Sequence, residues 1–308
     1  MQADSGGILI TGATGQVGEA LTRTLSPFAR LICPTHEEMD LANPAAIRQL
    51  MREVRPRWIV NAAAYTAVDK AESEPSVAFT LNATAPSVLA EEAAAIGAPL
   101  IHFSTDYVFD GTKSAPYVES DLTGPLNTYG CTKLAGEAAI SGSTDAYFIF
   151  RTSWVYGVTG HNFLRSILRL ARQRETLSIV NDQHGGPTWS FELARMTAHM
   201  IQHVEQLAIG STVQQAAVPL SGIYHASGSG ETTWFGFASA AVAHLRALEP
   251  NTRLATILPI PTTQYPTPAR RPLNSLLDCS KLQQAFGWTM PDWRQSLAQV
   301  FAESAHSL

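Results

Sequence analysis

Short apolar runs alternate with amphipathic stretches along the first half of the chain. Residues 7–11, 30–33, 56–61, 99–104 and 147–151 read as buried strands, too short for helices. Between them, residues 19–25, 43–54, 69–82, 86–96 and 129–140 carry helical patterns. Strand followed by helix, five times over, predicts a mostly parallel sheet with helices on both faces. Further on, residues 163–174 and 191–207 predict helices, with a strand at 177–180 between them. The character shifts at Gly222: a short strand over 222–226, a helix over 234–248, and helices over 282–288 and 293–305. Pro259, Pro261, Pro266, Pro268 and Pro272 exclude a long helix or a central strand and predict an ordered loop.

The first strand runs straight into Gly12-Ala13-Thr14-Gly15-Gln16-Val17-Gly18 and then into a helix. Strand, glycine turn and helix together hold a dinucleotide pyrophosphate, because unpaired N–H groups at a helix start face the anion. Gly12 permits the turn, Gly15 lets backbone approach phosphate, and Gly18 lets helix pack on strand. The fold class is therefore α/β: a Rossmann-type, doubly wound, mostly parallel sheet with a smaller C-terminal substrate-binding domain. Residues 1–160 form the dinucleotide domain, 177–210 are open to returning to it, and 211–308 are mainly the second domain, with some interleaving. The second strand ends without an acidic residue, which leans toward NADPH and leaves NADH open. Asp40 and Leu41 are placed to lie beside the adenine, Asp40 being also a candidate cap for the helix that follows. Ala63, Ala64 and Tyr65 follow the third strand, where small side chains let a flat cofactor lie close.

Composition narrows the class without changing the picture. The chain has 308 residues, 45% hydrophobic and 15% charged, and a formal net charge of −5 with no basic run. That argues against nucleic-acid and acidic-membrane partners. Cys33, Cys131 and Cys279 are too scattered for a zinc site or a disulfide framework. With no signal-peptide pattern and no apolar run of spanning length, a cytoplasmic protein is expected.

Tyr129 and Lys133 lie four apart on a predicted helix and so share a face. A phenol transfers protons poorly at neutral pH unless helped, and a neighbouring ammonium favours the phenolate. Lowering its pKa by about two units corresponds to roughly 3 kcal/mol. Lys133 could also hold the nicotinamide ribose. Ser104 and Thr105 end the preceding strand, and alternation sends only one hydroxyl to any one face.

These stretches, with Asn61–Glu72, Ser104–Phe109, Tyr129–Glu137, Arg151–Tyr156 and Pro266–Pro272, resemble the extended short-chain dehydrogenase/reductases, and among them the dTDP-4-dehydrorhamnose reductase family, over almost the whole chain. The resemblance implies hydride transfer from NADPH or NADH to the C4 ketone of a dTDP-sugar, dTDP-4-dehydro-β-L-rhamnose. It assigns Tyr129 as proton donor, Thr105 to the carbonyl, and Lys133 to phenolate and ribose. It places Asp106, Tyr107, Trp154, Asn162, Phe163, Gln183, Arg270 and Arg271 around the substrate; two adjacent arginines on the proline-rich loop make a positive fork that matches a diphosphate or a nucleotide. Relatives include a dimer dependent on a divalent metal such as Mg2+. Glu192 matches one ligand position, but the acidic pattern near the C-terminus is thin, so no metal site is expected and a homodimer stays open.

Two other readings compete. Another nucleotide-sugar reductase, epimerase or dehydratase is one, although Thr105-Asp106 lacks the adjacent Asp-Glu of a dehydratase. The other is a binding protein like the regulatory subunit of methionine adenosyltransferase, against which the set Thr105, Tyr129, Lys133 and the late arginines argue.

Overall fold

The structure, a computed structural model, describes residues 6–304. Six strands form one parallel sheet: β1 (Ile8–Thr11), β2 (Leu31–Ile32), β3 (Trp58–Asn61), β4 (Leu100–Thr105), β5 (Tyr147–Thr152) and β6 (Gly222–His225), in the order β6-β5-β4-β3-β1-β2. Alternation along each strand builds two cores. Ile8 and Ile10 of β1 join Trp58, Val60, Phe148 and Phe150 on one face, under α1 (Gln16–Leu25) and a later helix, Ser190–Leu207. Leu9 joins Ile59, Leu100 and Ile149 on the other face, under α2 (Pro44–Val54), α3 (Ala85–Ile96) and α4 (Thr128–Ser143). Each such side chain, removed from water, contributes about 1.5–3 kcal/mol. The strand order reverses between β1 and β3, so a crevice opens at their carboxyl ends.

Helix Ser190–Leu207 packs against α1, and β6 extends the sheet beyond β5, so chain from both sides of residue 210 completes the first layer. Val213–Ala217 and Ser280–Phe286 also join the core on the α1 face, through Val213, Ala217, Leu282 and Phe286, while other C-terminal elements build cores of their own. Helices Phe163–Gln173, Trp234–Leu248 and Trp293–Ser304 share a core of Leu164, Leu168, Phe237, Leu245, Trp293 and Leu297. The predicted end of the last helix at Ala305 lies outside the described residues. Among the described residues no helix is long and apolar enough to cross a membrane.

Three local expectations change. The predicted helix over 69–82 is two short helices, Val68–Ala71 and Pro75–Phe79, followed by a wide π turn at Thr80–Thr84 that leads into α3. Pro75 sits in the first turn of its helix, where its missing N–H costs nothing. The wide turn aims the Asn82 amide at the Tyr65 backbone, accepting from Tyr65 N at 2.8 Å and donating to Tyr65 O at 3.1 Å. Strand Thr256–Ile260 departs from expectation because it contains Pro259; among the described residues it pairs only with Thr176–Val180, where a missing donor is tolerated. Finally, Asn43 rather than Asp40 caps α2, its side chain accepting from Ala45 N at 3.0 Å, while Asp40 accepts from Ala42 N at 2.8 Å.

Candidate active site

The glycine turn closes tightly. Gly12 has φ +67°, and a Cβ there would lie 2.8 Å from the backbone of Ala63. A Cβ on Gly18 would lie 2.0 Å from Gly12 O, so only glycine lets α1 sit this close to the end of β1. Gly15 N donates to Gly12 O at 2.9 Å, and α1 begins at Gln16. A cavity of about 520 Å3 opens beside the turn, and Gly12, Thr14, Asp40, Leu41, Ala63 and Ala64 all line it. Thr11, Cys33, Thr35, His36 and Leu81 also line it, although no local motif marks them. Val17 packs on the apolar core beneath. Gln16 accepts from the Asn162 amide at 3.0 Å. The Tyr65 hydroxyl donates to Glu74 at 2.7 Å, while its backbone is held by Asn82.

Asn127 caps α4 through Gly130 N at 2.8 Å and presents Tyr129 beside the turn that follows β4. The two hydroxyls at the end of β4 diverge as alternation requires. Ser104 donates to Glu137 at 2.5 Å, whereas Thr105 lies against the Tyr129 phenol. The Thr105 hydroxyl also donates to Asp106 at 3.0 Å and accepts from Tyr107 N at 3.1 Å. Tyr107 and Tyr129 meet edge to face, ring centroids 5.8 Å apart. Burial pushes the Asp106 carboxyl up to about 6, against the hydroxyls of Ser275, Thr105 and Ser153.

The expected electrostatics of Tyr129 are overturned. Burial, and then the Asp106 carboxyl, push the phenol above its ordinary value, and Thr105 opposes them. Lys133 does not counter this, because its amine points into the protein, donating to Phe103 O at 2.7 Å and lying 2.9 Å from His102 Nε2. Burial brings Lys133 itself down to about 7, with Glu137 opposing. His102 is fully buried in β4 and was not foreseen. A signal existed: a polar residue inside an otherwise apolar strand, with Asn61 beside it on β3.

A second cavity, about 810 Å3, opens toward the C-terminal elements, with Gln183, Arg270 and Arg271 on its wall. Thr112, Lys113, Tyr265 and Asn274 line it too, all unforeseen. Gln183 donates to Thr262 at 3.1 Å and accepts from the Trp234 indole at 3.2 Å. The two arginines do not form one fork. Arg271 grips Asp69 through two bonds of 2.8 and 3.0 Å, its charge also bearing on Tyr107, while the Arg270 side chain is exposed and its carbonyl accepts from Asn127 at 2.7 Å. Trp154, at φ +47°, stacks on Trp234 with centroids 3.7 Å apart, and Phe163 packs on the same indole at 4.5 Å. Trp234 unites these two predicted residues, and nothing local in the sequence marked it. Asn162 is committed elsewhere, capping helix Phe163–Gln173 through Arg165 N at 3.0 Å. Glu192 is buried and paired with Arg195 at 3.0 Å, and among the described residues no three or more His, Cys, Asp or Glu gather as a metal group.

The family profile described as RmlD substrate binding domain matches residues 6–306. The dTDP-4-dehydrorhamnose reductase of Burkholderia thailandensis is 46% identical over 292 residues, 94% of this chain and 96% of that protein. Its counterpart in Escherichia coli K12 is 45% identical over 300 residues, covering 96% and 97%. Among solved structures, the dTDP-4-dehydrorhamnose reductase of Bacillus anthracis in complex with NADP superposes with a TM-score of 0.86 at 34% identity, covering 96% of this chain and 98% of that one. The Clostridium acetobutylicum structure gives 0.87 at 32% identity, with coverage of 96% and 98%. Both sequence and fold thus agree end to end, and the chain belongs to the dTDP-4-dehydrorhamnose reductase family.

Proposed function

We propose that this protein reduces the C4 ketone of dTDP-4-dehydro-β-L-rhamnose to dTDP-β-L-rhamnose, using NAD(P)H. Family membership supports the reaction, and one observation supports its location: the Thr105 and Tyr129 hydroxyls meet at the carboxyl end of β4. The residues fit a dinucleotide: a Cβ on Gly12 or Gly18 would force apart the tight turn that brings the start of α1 to the cavity lined by Gly12, Ala13 and Thr14. When bound, that dinucleotide supplies the hydride. Strand β2 exits into Pro34-Thr35-His36, and the nearby Glu38 carboxylate is spent on Thr35 N at 2.7 Å, which favours NADPH.

Tyr129 donates the proton that the ketone oxygen takes up as hydride arrives at C4. A phenol held above its ordinary value keeps that proton at neutral pH, the form a reduction needs. Thr105 donates to the same oxygen as negative charge develops on it. Lys133 is carried one turn further along α4; to reach the ribose and ease the return of a proton to Tyr129, its amine must turn from Phe103 O and His102 as the dinucleotide binds. The larger cavity takes the nucleotide end, its volume of about 810 Å3 suiting a ligand of that size. Arg270 meets the diphosphate there, while Arg271 ties the proline-rich segment over the site through Asp69.

The test is turnover of defined dTDP-4-dehydro-β-L-rhamnose, followed by loss of reduced-nicotinamide absorbance. Tyr129→Phe is expected to lower kcat by about a hundredfold or more while the protein stays folded. An unaltered rate in that variant removes Tyr129 as the acid, and no turnover by the unaltered chain removes the substrate.

A further inference from the structure

Three buried polar side chains stand in one register row across the sheet: Thr11 pairs with Asn61, and Asn61 with His102. Thr11 Oγ1 donates to Asn61 Oδ1 at 2.6 Å, Asn61 Nδ2 lies 2.9 Å from His102 Nδ1, and His102 Nε2 lies 2.9 Å from Lys133 Nζ. The row begins where Ala63 N donates to Thr11 Oγ1 at 3.3 Å, on the wall of the dinucleotide cavity. It ends at the lysine of α4.

Counting hydrogens along the row gives a definite result. An amide nitrogen only donates, so His102 Nδ1 accepts from Asn61, and the neutral imidazole carries its hydrogen on Nε2. Nε2–H then faces Lys133, and only a neutral amine offers it a lone pair. Turning the Asn61 amide over reverses every bond. The Lys133 ammonium donates to His102 Nε2, Nδ1–H donates to Asn61 Oδ1, and Asn61 donates to Thr11. Thr11 then accepts from both Asn61 and Ala63, and its own hydrogen is released toward the cavity. Either arrangement satisfies the whole row; a mixture of the two leaves a buried donor facing a donor.

We infer that His102 is a positioning residue for Lys133, and that the Thr11–Asn61–His102 row is a two-state relay tying the proton on Lys133 to the direction of the Thr11 hydroxyl in the dinucleotide cavity. Lys133 gains or loses its proton together with a tautomer change in His102 and a turn of the Asn61 amide. Burial holds Lys133 at about 7, within the range where both states are populated. Among the described residues the charged group that bears on Lys133 is Glu137, one turn on along α4 and itself clamped by Arg151 of β5 at 2.6 Å; the titratable Tyr129 lies one turn back on the same helix. His102, held neutral by burial and then by the Lys133 charge, is the direct contact. The inference rests on the proposed role of Lys133 in the reduction, but its test needs no substrate.

The chain has four lysines, Lys70, Lys113, Lys133 and Lys281, so lysine isotope-labelled at Cε gives four resolvable signals in the full-length protein. Lys133 is expected to titrate well below the ordinary lysine value, at about 7. Ring-labelled His102 is expected to move its hydrogen from Nδ1 to Nε2 with the same midpoint as pH rises. Asn61→Asp places an oxygen that only accepts beside Nδ1, which fixes the ammonium arrangement and raises the Lys133 midpoint by about one pH unit or more, about tenfold in equilibrium. A His102 tautomer that stays constant through the Lys133 titration overturns the inference, as does an Asn61→Asp midpoint left in place. Should Asn61→Asp not fold, the tautomer measurement on the unaltered chain decides alone. Absent turnover with the dTDP-sugar would sink the proposed reaction and leave both titrations readable.

Discussion

Glu137→Leu is expected to cost the protein about 4–6 kcal/mol. Glu137 of α4 and Arg151 of β5 are each 3% exposed and joined by bonds of 3.0 and 2.6 Å. Ser104 of β4 donates to the same carboxylate at 2.5 Å, and the guanidinium lies 5.0 Å from the centre of the Phe109 ring. Removing the carboxylate strands a buried guanidinium, a loss of about 3–5 kcal/mol, and frees the Ser104 hydroxyl, about 1 kcal/mol more. For 308 residues the unfolding entropy is about 0.65 kcal/mol/K, so the melting temperature should fall by about 6–9 °C. The double replacement Glu137→Leu with Arg151→Met removes both charges at similar volume and should recover half of that fall or more. Scanning calorimetry of the three proteins at neutral pH is the assay. A loss below about 1 kcal/mol in the single variant, or a double variant no more stable than the single one, refutes the claim that this pair fastens α4 to the sheet.

Asp106 gives a pH test with a definite sign. Its folded-state value lies at about 6 against an ordinary 3.8, so its contribution to stability is complete below about 3.8 and disappears as pH rises through about 6. Asp106→Asn should therefore gain on the unaltered protein across that window, by up to about 3 kcal/mol at neutral pH, and equal denaturation midpoints at both ends would reject the assignment. Gly18→Ala sets a methyl 2.0 Å from Gly12 O, so the turn must shift. Fluorescence titration should show NADPH binding weakened about tenfold or more, and unchanged affinity would mean that the turn does not hold the dinucleotide. Asp69→Asn loosens the grip of Arg271 on the proline-rich segment. Because Asp69 is 41% exposed, solvent screening limits the pair to about 1 kcal/mol, so KM for the nucleotide sugar should rise about fivefold with little change in kcat. A fall in kcat alone would place Arg271 at the reacting carbon instead.

Local signals and contact signals divide what the sequence could disclose. Strands β1, β3, β4 and β5 were legible because both faces are covered, which leaves continuous apolar runs such as Ile8-Leu9-Ile10. Gly12, Gly15 and Gly18 were legible because a tight turn restricts residue type at fixed spacing. Trp234, Asn82 and His102 were not, because their importance comes from partners 80, 17 and 31 positions away, at Trp154, Tyr65 and Lys133. The phenol of Tyr129 was misjudged for a related reason. Spacing placed a lysine one turn away, but only the packed interior reveals that its amine turns to Phe103 O and His102. The arginine pair failed as a fork because Asp69, about two hundred residues earlier, claims one of the two guanidinium groups.

The place of β6 in the sheet bears on how the chain emerges from the ribosome. Residues 147–152 bond on one side to β4 and on the other to residues 222–225, which are synthesised some seventy positions later. Until those residues leave the exit tunnel, β5 presents bare amides and carbonyls to any neighbouring nascent chain. A fragment stopped near residue 160 would keep that exposed border permanently, so the dinucleotide half is not expected to be obtained as a stable, well-behaved fragment by cutting there.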